Sequence, residues 1–210
     1  MIDLYTWTTP NGRKVSILLE ELGLDYEVHS INIGQGDQKT PEFLKIGPNN
    51  KIPVIVERDT GFALMETGAI MIYLAEKHGK FLPSDPEGRA RVIEWLMWQM
   101  GGFGPMLGQA HHFLHFNPGK AEYAEGRFRD EAKRLYGVLD RRLEGRDYVC
   151  DDYSIADMAI WPWASRYEWQ EIDLGDYPNV QAWYKRLLAR EAVVKGYHVP
   201  KKMGEIPSGG

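Results

Sequence analysis

The spacing of apolar and polar positions changes along this chain, from a mixed strand and helix pattern to helices alone. Residues 2–6 predict a short strand, and residues 11–22 predict a helix. The helix prediction rests on apolar side chains that recur at helical spacing, namely Val15, Leu18, Leu19 and Leu22. Residues 26–33 return to a strand pattern. A β-α-β unit of this size implies two parallel strands joined by a right-handed crossover.

The mixed pattern continues through the first third of the chain. The next predicted elements are a short helix at 41–45, a hairpin of two strands at 54–57 and 62–64, and a helix at 67–77. In the last helix, four side chains are expected to face inward: Ala69, Ile70, Tyr73 and Leu74. The predicted order is therefore β-α-β-α-β-β-α.

A break at residues 78–87 is rich in glycine, proline, serine and aspartate, and such a composition marks a linker. Beyond it, apolar residues keep a spacing of three to four. This spacing predicts helices at 89–100, 120–143, 154–163 and 180–188, followed by an irregular tail at 200–210. The sequence thus predicts an α/β domain at 1–79, a linker at 80–86 and an all-helical domain at 87–210.

Composition narrows the class of protein. Hydrophobic residues make up 43% of the 210 residues, which is enough for a substantial core. The net charge of −5 argues against a partner among nucleic acids. No apolar run reaches the ~20 residues of a membrane helix, and the first residues lack the pattern of a signal peptide. Cys150 is the single cysteine, so a reducing, cytoplasmic location is expected.

The stretch from residue 49 to residue 70 carries most of the chemical information. Pro53 stands immediately before a β-branched strand, where a cis bond to Ile52 would expose the backbone of Ile52 to a ligand. We predict that this bond is cis. Shortly afterwards, Glu66 and Thr67 open a helix, and helix N-termini bind anions. A backbone edge, an anion site and an acidic side chain together suit a peptide that carries both a carboxylate and an amine.

These motifs resemble a known family. The Ile52–Pro53 step followed by Glu-Thr-Gly-Ala-Ile at 66–70 resembles the glutathione site of cytosolic glutathione transferases. The turn Thr-Thr-Pro-Asn-Gly-Arg-Lys at 8–14 resembles that of the Nu class, a bacterial and fungal branch related to the yeast prion-forming nitrogen regulator. The resemblance implies the glutathione transferase fold, an α/β thioredoxin-like N-terminal domain followed by an all-α C-terminal domain. It also implies a homodimer.

The turn at 8–12 lies between the first strand and the first helix, where open α/β sheets place their ligands. A thiol has a free pKa above neutral, and hydrogen-bond donors or a helix N-terminus lower it. Asn11 and Thr9 supply donors, so they are the candidate catalytic residues. The alternative is that either residue only caps the helix. Tyr5 precedes the turn and is expected inside the strand, so it is not favoured as the catalytic hydroxyl.

The resemblance assigns the glutathione contacts residue by residue. Glu66 would pair with the ligand's amine and Thr67 with its carboxylate, while Ile52 beside Pro53 would hydrogen-bond the cysteinyl backbone. The alternative for Glu66 is an acidic residue that merely favours a helix start. Two further loop residues would reach the glycine end of the ligand or remain solvated: Gln38 and Lys51. Gln99 and Arg127 are candidates to reach glutathione from the neighbouring subunit.

Two other motifs invite chemistry but favour structural explanations. Ser154 and Asp157 have the spacing of a capping box, which explains them better than a catalytic pair does. His111 and His115 share a helix face, but no glutamate or cysteine completes a metal site. They suit the wall of a substrate cleft or ordinary core, and no metal is expected.

The sequence therefore predicts an enzyme that activates the thiolate of glutathione, its cosubstrate. Reduction of small disulfides by thiol–disulfide exchange is the favoured reaction, with modest transferase activity. One alternative is a classical transferase that conjugates small electrophiles. The other is a non-catalytic regulator or ligand carrier that binds glutathione.

Overall fold

A computed structural model describes all residues from 1 to 210, and the chain forms two compact units. One unit comprises residues 1–82 and 190–205, and the other comprises residues 83–189 and 206–210. The sequence analysis assigned residues 190–205 to the helical domain, whereas the structure groups them with residues 1–82. The domain boundaries at 79 and 87 remain a prediction.

The first unit is built on a four-stranded sheet of β1 (Ile2–Thr6), β2 (Tyr26–Ser30), β3 (Val54–Glu57) and β4 (Ala63–Met65). The strands lie in the order β2-β1-β3-β4. Strands β1 and β2 are parallel, as the crossover rule predicts, whereas β3 runs antiparallel to both β1 and β4. Three helices connect or follow the strands, and the predicted order β-α-β-α-β-β-α is confirmed. The helices are α1 (Pro10–Leu22), α2 (Pro41–Leu44) and α3 (Thr67–His78).

Local chemistry fixes the bounds of α1. The Thr9 side chain caps its N-terminus, and Pro10 occupies the first helical position, where a missing N–H costs nothing. Gly23 ends the helix with φ of 67°, a left-handed conformation that glycine adopts without strain. The predicted apolar face is buried in the core.

Helix α3 is buried on a face that differs in part from the predicted one. Ile70 and Leu74 are buried as expected, but Ala69 is exposed. Met71 and Ala75 are buried instead. The inward face is therefore rotated, because most residues of this helix are apolar and their spacing alone did not select one face.

A seven-residue helix, α9 (Glu191–Tyr197), completes the first unit and was not predicted. It packs against α1 at Gly196, where an added Cβ would lie 2.6 Å from the backbone nitrogen of Ile17. The Ser16 hydroxyl also donates to the Gly196 carbonyl over 2.7 Å. This close backbone approach explains why residues 190–205 belong with the N-terminal segment.

The second unit is helical, as predicted. Its elements are α4 (Pro86–Trp98), α5 (Gly104–Ala110), α6 (Glu122–Leu143), α7 (Ile155–Ala164) and α8 (Pro178–Leu188). Two π-helical turns that the sequence did not reveal flank α5, at Gln99–Phe103 and His111–Phe116. The predicted capping box is confirmed, because Ser154 accepts from the Ala156 N–H and Asp157 accepts from the Ser154 N–H. None of the helices combines the length and the apolarity that crossing a membrane requires.

Candidate active site

The register of the sheet brings three separate sequence segments to one edge. Tyr5 near the end of β1 pairs with Val54 at the start of β3, and Val54 pairs in turn with Met65 at the end of β4. The turn after β1, the residue before β3 and the residue after β4 therefore lie at the same edge. These are the three segments that carry the predicted site, and we call them the site edge: residues 7–12, 52–53 and 66–67.

The turn at residues 7–12 is held tightly. The Thr9 hydroxyl oxygen accepts from the Gly12 N–H over 3.2 Å, so the predicted alternative of a helix cap is present. The Thr9 N–H donates to the Trp7 carbonyl over 2.7 Å. A Cβ at Gly12 would lie 2.3 Å from that carbonyl oxygen, so only glycine fits there. Asn11 is half-buried at the second position of α1.

Thr9 can cap the helix and still donate a hydrogen bond to a ligand. A hydroxyl carries one proton to donate and two lone pairs that accept. One lone pair of the Thr9 oxygen accepts from the Gly12 N–H, so the hydroxyl proton can still be donated to a neighbouring anion. The N-terminal end of the α1 dipole adds a positive partial charge beside it.

The second segment contributes a backbone edge. The Ile52–Pro53 peptide bond is cis, as predicted. Pro53 is buried and Ile52 is half-buried, directly before β3. The Ile52 backbone thus lies beside the start of a strand, where an extended peptide can add hydrogen bonds.

The third segment joins β4 to α3 through an unusual backbone conformation. Glu66 has φ of 70°, a region that residues other than glycine rarely adopt and that is enriched at ligand sites. Its side chain is exposed, and the Asn49 amide donates to its carboxylate over 3.4 Å. Thr67 begins the helix and is buried, and no side chain caps this N-terminus. The segment therefore offers an exposed carboxylate next to an uncapped helix N-terminus.

Lys14 is a residue of this site that we did not assign from the sequence. It lies on α1 with only 2% of its surface exposed. Burial lowers the pKa of Lys14 to about 7, and the nearby negative charge of Glu66 partly opposes that fall. Its position four residues before Leu18, on the apolar face of the helix, was the available signal.

Gln38 lies in a short 3-10 helix, Asp37–Lys39, and Lys51 lies in the loop before β3. No hydrogen bond joins either of them to the site edge. Gln38 is half-buried and its amide nitrogen donates to the Ile33 carbonyl over 3.5 Å, while its amide oxygen is buried without a partner. Lys51 is exposed. Their roles at the glycine end remain predictions.

The two candidates for a role across subunits differ in placement. Gln99 is completely buried inside the helical unit, at 0% exposure. Its role as a group that reaches a neighbouring subunit stays a prediction of the resemblance, and its side chain lies in the interior of this chain. Arg127 is exposed on α6 in an open cavity of about 670 Å³ that Met106 and Tyr123 also line.

The histidines of the second π-helical turn lie in an aromatic cluster. His111 is buried against Trp163 and contacts the Gln170 amide over 2.9 Å, and burial lowers its pKa to about 3. It is therefore a neutral core histidine. His115 stacks on Trp169 with ring centroids 4.2 Å apart. No group of three potential metal ligands is present in the chain.

The single cysteine is not placed for redox chemistry. Cys150 is 4% exposed, and burial raises the pKa of its thiol to about 11. The thiolate is the reactive form of cysteine, so this thiol is inert near neutral pH.

Comparison with known proteins gives consistent matches over most of the chain. Residues 1–76 match the glutathione S-transferase N-terminal domain, and residues 103–191 match the glutathione S-transferase C-terminal domain. The disulfide-bond oxidoreductase YfcG of Escherichia coli is 50% identical over 198 residues, an alignment that covers 91% of this chain and 92% of YfcG.

Two further relatives extend this picture. The crystal structure of a glutathione transferase from Pseudomonas putida, with one glutathione disulfide bound per subunit, is 44% identical with a TM-score of 0.89. The alignment covers 95% of this chain and 91% of the Pseudomonas putida chain. The URE2 protein of Candida glabrata is 31% identical over 229 residues, which cover 90% of this chain and 64% of URE2.

These matches confirm the fold predicted from the sequence, a thioredoxin-like α/β domain followed by a helical domain. The chain belongs to the glutathione transferase family, in the Nu-class-like branch that includes bacterial disulfide-bond oxidoreductases and the URE2 proteins.

Proposed function

We propose that this protein is a glutathione-dependent enzyme that ionises the glutathione thiol and uses the thiolate to reduce small disulfides, with modest transferase activity. The observation that carries the proposal is the site edge. There, hydroxyl and amide donors, a backbone edge and an exposed carboxylate beside a helix N-terminus come together from three segments. Each group matches one part of glutathione.

The γ-glutamyl end of glutathione would bind at the third segment. Its ammonium would pair with the Glu66 carboxylate, and its carboxylate would accept from Thr67 and the uncapped N-terminus of α3. The cysteinyl backbone would pair with Ile52 beside the cis bond to Pro53. The glycine carboxylate would lie toward Gln38 and Lys51, as the sequence predicts.

The thiol would then lie against the turn after β1. Thr9 and Asn11 supply donors to the sulfur, and the N-terminus of α1 supplies a favourable field for negative charge. These groups stabilise the thiolate over the thiol, which lowers the thiol pKa toward neutral. The protein needs no nucleophile of its own.

In the proposed reaction, the bound thiolate attacks one sulfur of a small disulfide. A mixed disulfide forms, and the other sulfur leaves as a thiolate that takes a proton from water. A second glutathione thiolate attacks the glutathionyl sulfur of the mixed disulfide, which yields oxidised glutathione and a second small thiol. Two glutathione molecules supply the two electrons, and the buried Cys150 takes no part. The name of YfcG and the glutathione disulfide in the Pseudomonas putida structure support this choice of reaction.

Thioether formation is the second candidate activity. The match of both halves of the chain to glutathione S-transferase domains favours it. The same thiolate would attack a carbon electrophile and displace its leaving group.

The proposal extends to the oligomeric state of the protein and to its location. We infer a homodimer, in which the exposed Arg127 could reach the glutathione of the neighbouring subunit through a bidentate contact with a carboxylate. We also propose a cytoplasmic location, and domain boundaries at residues 79 and 87, as the sequence predicts.

The test measures glutathione-dependent reduction of 2-hydroxyethyl disulfide beside conjugation of a chlorodinitrobenzene. We expect strong disulfide turnover that falls at least tenfold, or about 1.4 kcal/mol in transition-state stabilisation, in Asn11→Ala. Cys150→Ala is the control and should retain full activity, since its thiol is buried and protonated. Strong conjugation with weak reduction would make the protein a classical transferase. No turnover in either assay, with glutathione still bound, would favour a carrier or regulator.

A further inference from the structure

The segment that follows α9 carries a lysine next to the turn at residues 7–12. The Lys201 ammonium lies over the indole ring of Trp7, 4.6 Å from the ring centroid. Trp7 is the first residue of that turn, and its carbonyl accepts from the Thr9 N–H over 2.7 Å. A cation at this distance is attracted by the negative face of a tryptophan ring. A positive charge is therefore held beside the turn that supplies the proposed donors to the glutathione sulfur.

The packing of α9 on α1 explains why the chain reaches this turn. Arg13 lies in the first turn of α1, directly after residues 7–12, and is 1% exposed. Its guanidinium lies over the ring of Tyr197, 3.6 Å from the centroid, and its Nε donates to the Tyr197 carbonyl over 3.1 Å. The end of α9 is thus fixed to the start of α1. Lys201 follows four residues after Tyr197, which is a short enough path to bring its ammonium to the turn.

The charge of Lys201 is not neutralised within the chain. Its side chain is exposed, and no ion pair joins it to an acidic residue. The next residue, Lys202, does pair with a carboxylate, that of Glu205, over 2.6 Å. In the proposed binding mode of glutathione, the two carboxylates of the ligand lie toward Thr67 and toward Lys51, and neither is assigned to Lys201. The charge is therefore available to the second substrate, the disulfide.

We propose that Lys201 is a specificity residue for the disulfide substrate and that it selects disulfides with a carboxylate a few bonds from the sulfur. This inference rests on the proposed function, because it requires the thiolate of bound glutathione to lie at the turn. A carboxylate in this place is attracted by the ammonium, whereas a second ammonium is repelled. Because the Lys201 side chain is exposed, the effect on affinity is moderate, up to about fivefold for one pair.

The experiment compares three disulfides of similar length that differ in charge at neutral pH. These are 3,3′-dithiodipropionate, which is anionic, 2-hydroxyethyl disulfide, which is neutral, and cystamine, which is cationic. Each reaction is started by adding the disulfide to enzyme and saturating glutathione, so that mixed disulfides do not form beforehand, and the uncatalysed rate is subtracted. Because the disulfides differ in intrinsic reactivity, the quantity compared between wild type and variants is the ratio of their kcat/KM values.

Removal of the charge should weaken the preference for the anion. In Lys201→Met, the preference for 3,3′-dithiodipropionate over 2-hydroxyethyl disulfide should fall about threefold to fivefold, and the preference for cystamine should rise. The loss should lie mainly in the KM for the anionic disulfide, since a contact away from the reacting sulfurs acts equally on the ground state and the transition state. In wild type, 1 M salt should reduce the preference toward that of the variant, because the Debye length falls to about 3 Å.

Further variants separate a local charge effect from a structural one. Lys201→Arg should keep the preference, and Lys201→Glu should reverse it in favour of cystamine. Lys80→Met is the matched control, since it removes an exposed lysine that follows α3 in the same unit. The 12 residues of α3 place it about 18 Å from the site edge, so it should retain the wild-type preference. The salt series in wild type tests the inference even if a variant does not fold.

The outcomes distinguish this inference from the function on which it rests. An unchanged preference in Lys201→Met, or an equal change in Lys80→Met, would overturn the role of Lys201 and leave the proposed function intact. An equal loss with all three disulfides, together with a raised KM for glutathione, would assign Lys201 to glutathione and would also overturn the inference. If wild type reduced none of the three disulfides, the proposed function would fail and this inference would fail with it.

Discussion

Substitution of Gly12 by alanine tests how tightly the turn that carries Thr9 and Asn11 is packed. A Cβ at this position would lie 2.3 Å from the Trp7 carbonyl oxygen and 2.4 Å from the Thr6 hydroxyl oxygen. The hydroxyl can rotate away, but the carbonyl is backbone and already accepts from the Thr9 N–H. The turn must therefore move by about 1 Å to reach a normal carbon–oxygen separation, and overpacking of this kind costs about 1–3 kcal/mol.

Because the displaced turn carries the proposed thiolate donors, activity should fall more steeply than stability. A 1 Å misplacement near reacting atoms costs about 10²-fold in rate. Urea unfolding and glutathione-dependent disulfide reduction measure the two effects on the same preparation. Gly126→Ala is the matched stability control, since it lies inside helix α6 with open space at its Cβ and should stabilise the protein by about 0.5–1 kcal/mol. If Gly12→Ala matched wild type in both unfolding and turnover, the close packing of the turn and its place in the chemistry would be refuted.

Three further substitutions test other parts of the account. Ser154→Ala removes the cap of α7 and should lower the free energy of unfolding by about 1 kcal/mol, with unchanged glutathione affinity in the folded protein; an affinity loss without destabilisation would contradict a purely structural role. Arg58→Met removes two hydrogen bonds that hold the pKa of Asp3 near 2. A depressed carboxyl pKa stabilises the fold fully above the unfolded pKa, and this contribution is lost as the pH falls through the folded pKa. The stability difference from wild type should therefore be present at pH 6, shrink toward pH 2 and vanish below it in acid titrations of unfolding. Cys150→Ala should retain disulfide turnover and its pH profile, and a loss of turnover would place a protein thiol in the reaction.

The sequence predicted elements well where one periodic pattern decided the structure. Val15, Leu18 and Leu19 repeat at helical spacing and are all buried in α1. The β-branched run before Glu57 forms β3, and the cis bond at Pro53 has the predicted conformation. The motifs of the site edge were found because they are short and local, even though only the register of the sheet brings them together.

Features that depend on long-range packing escaped prediction. Helix α9 has seven residues, too few for a clear period, and its place is set by the contact of Gly196 with α1. Gln99 was a candidate to reach a neighbouring subunit, and the structure shows it completely buried within a π-helical turn. Lys14 was passed over because a lysine is ordinarily expected in water, and only the folded chain shows that it is buried near Glu66.

The central claim is that the site edge binds glutathione and stabilises its thiolate. Its most direct test is the pH titration of bound glutathione by the ultraviolet absorbance of the thiolate, in wild type and in Asn11→Ala. Cys150 does not interfere near neutral pH, because burial raises its pKa to about 11. The account predicts a thiol pKa for bound glutathione below that of glutathione in water, and a return toward the free value in Asn11→Ala. A bound thiol that titrates like free glutathione in wild type would contradict it.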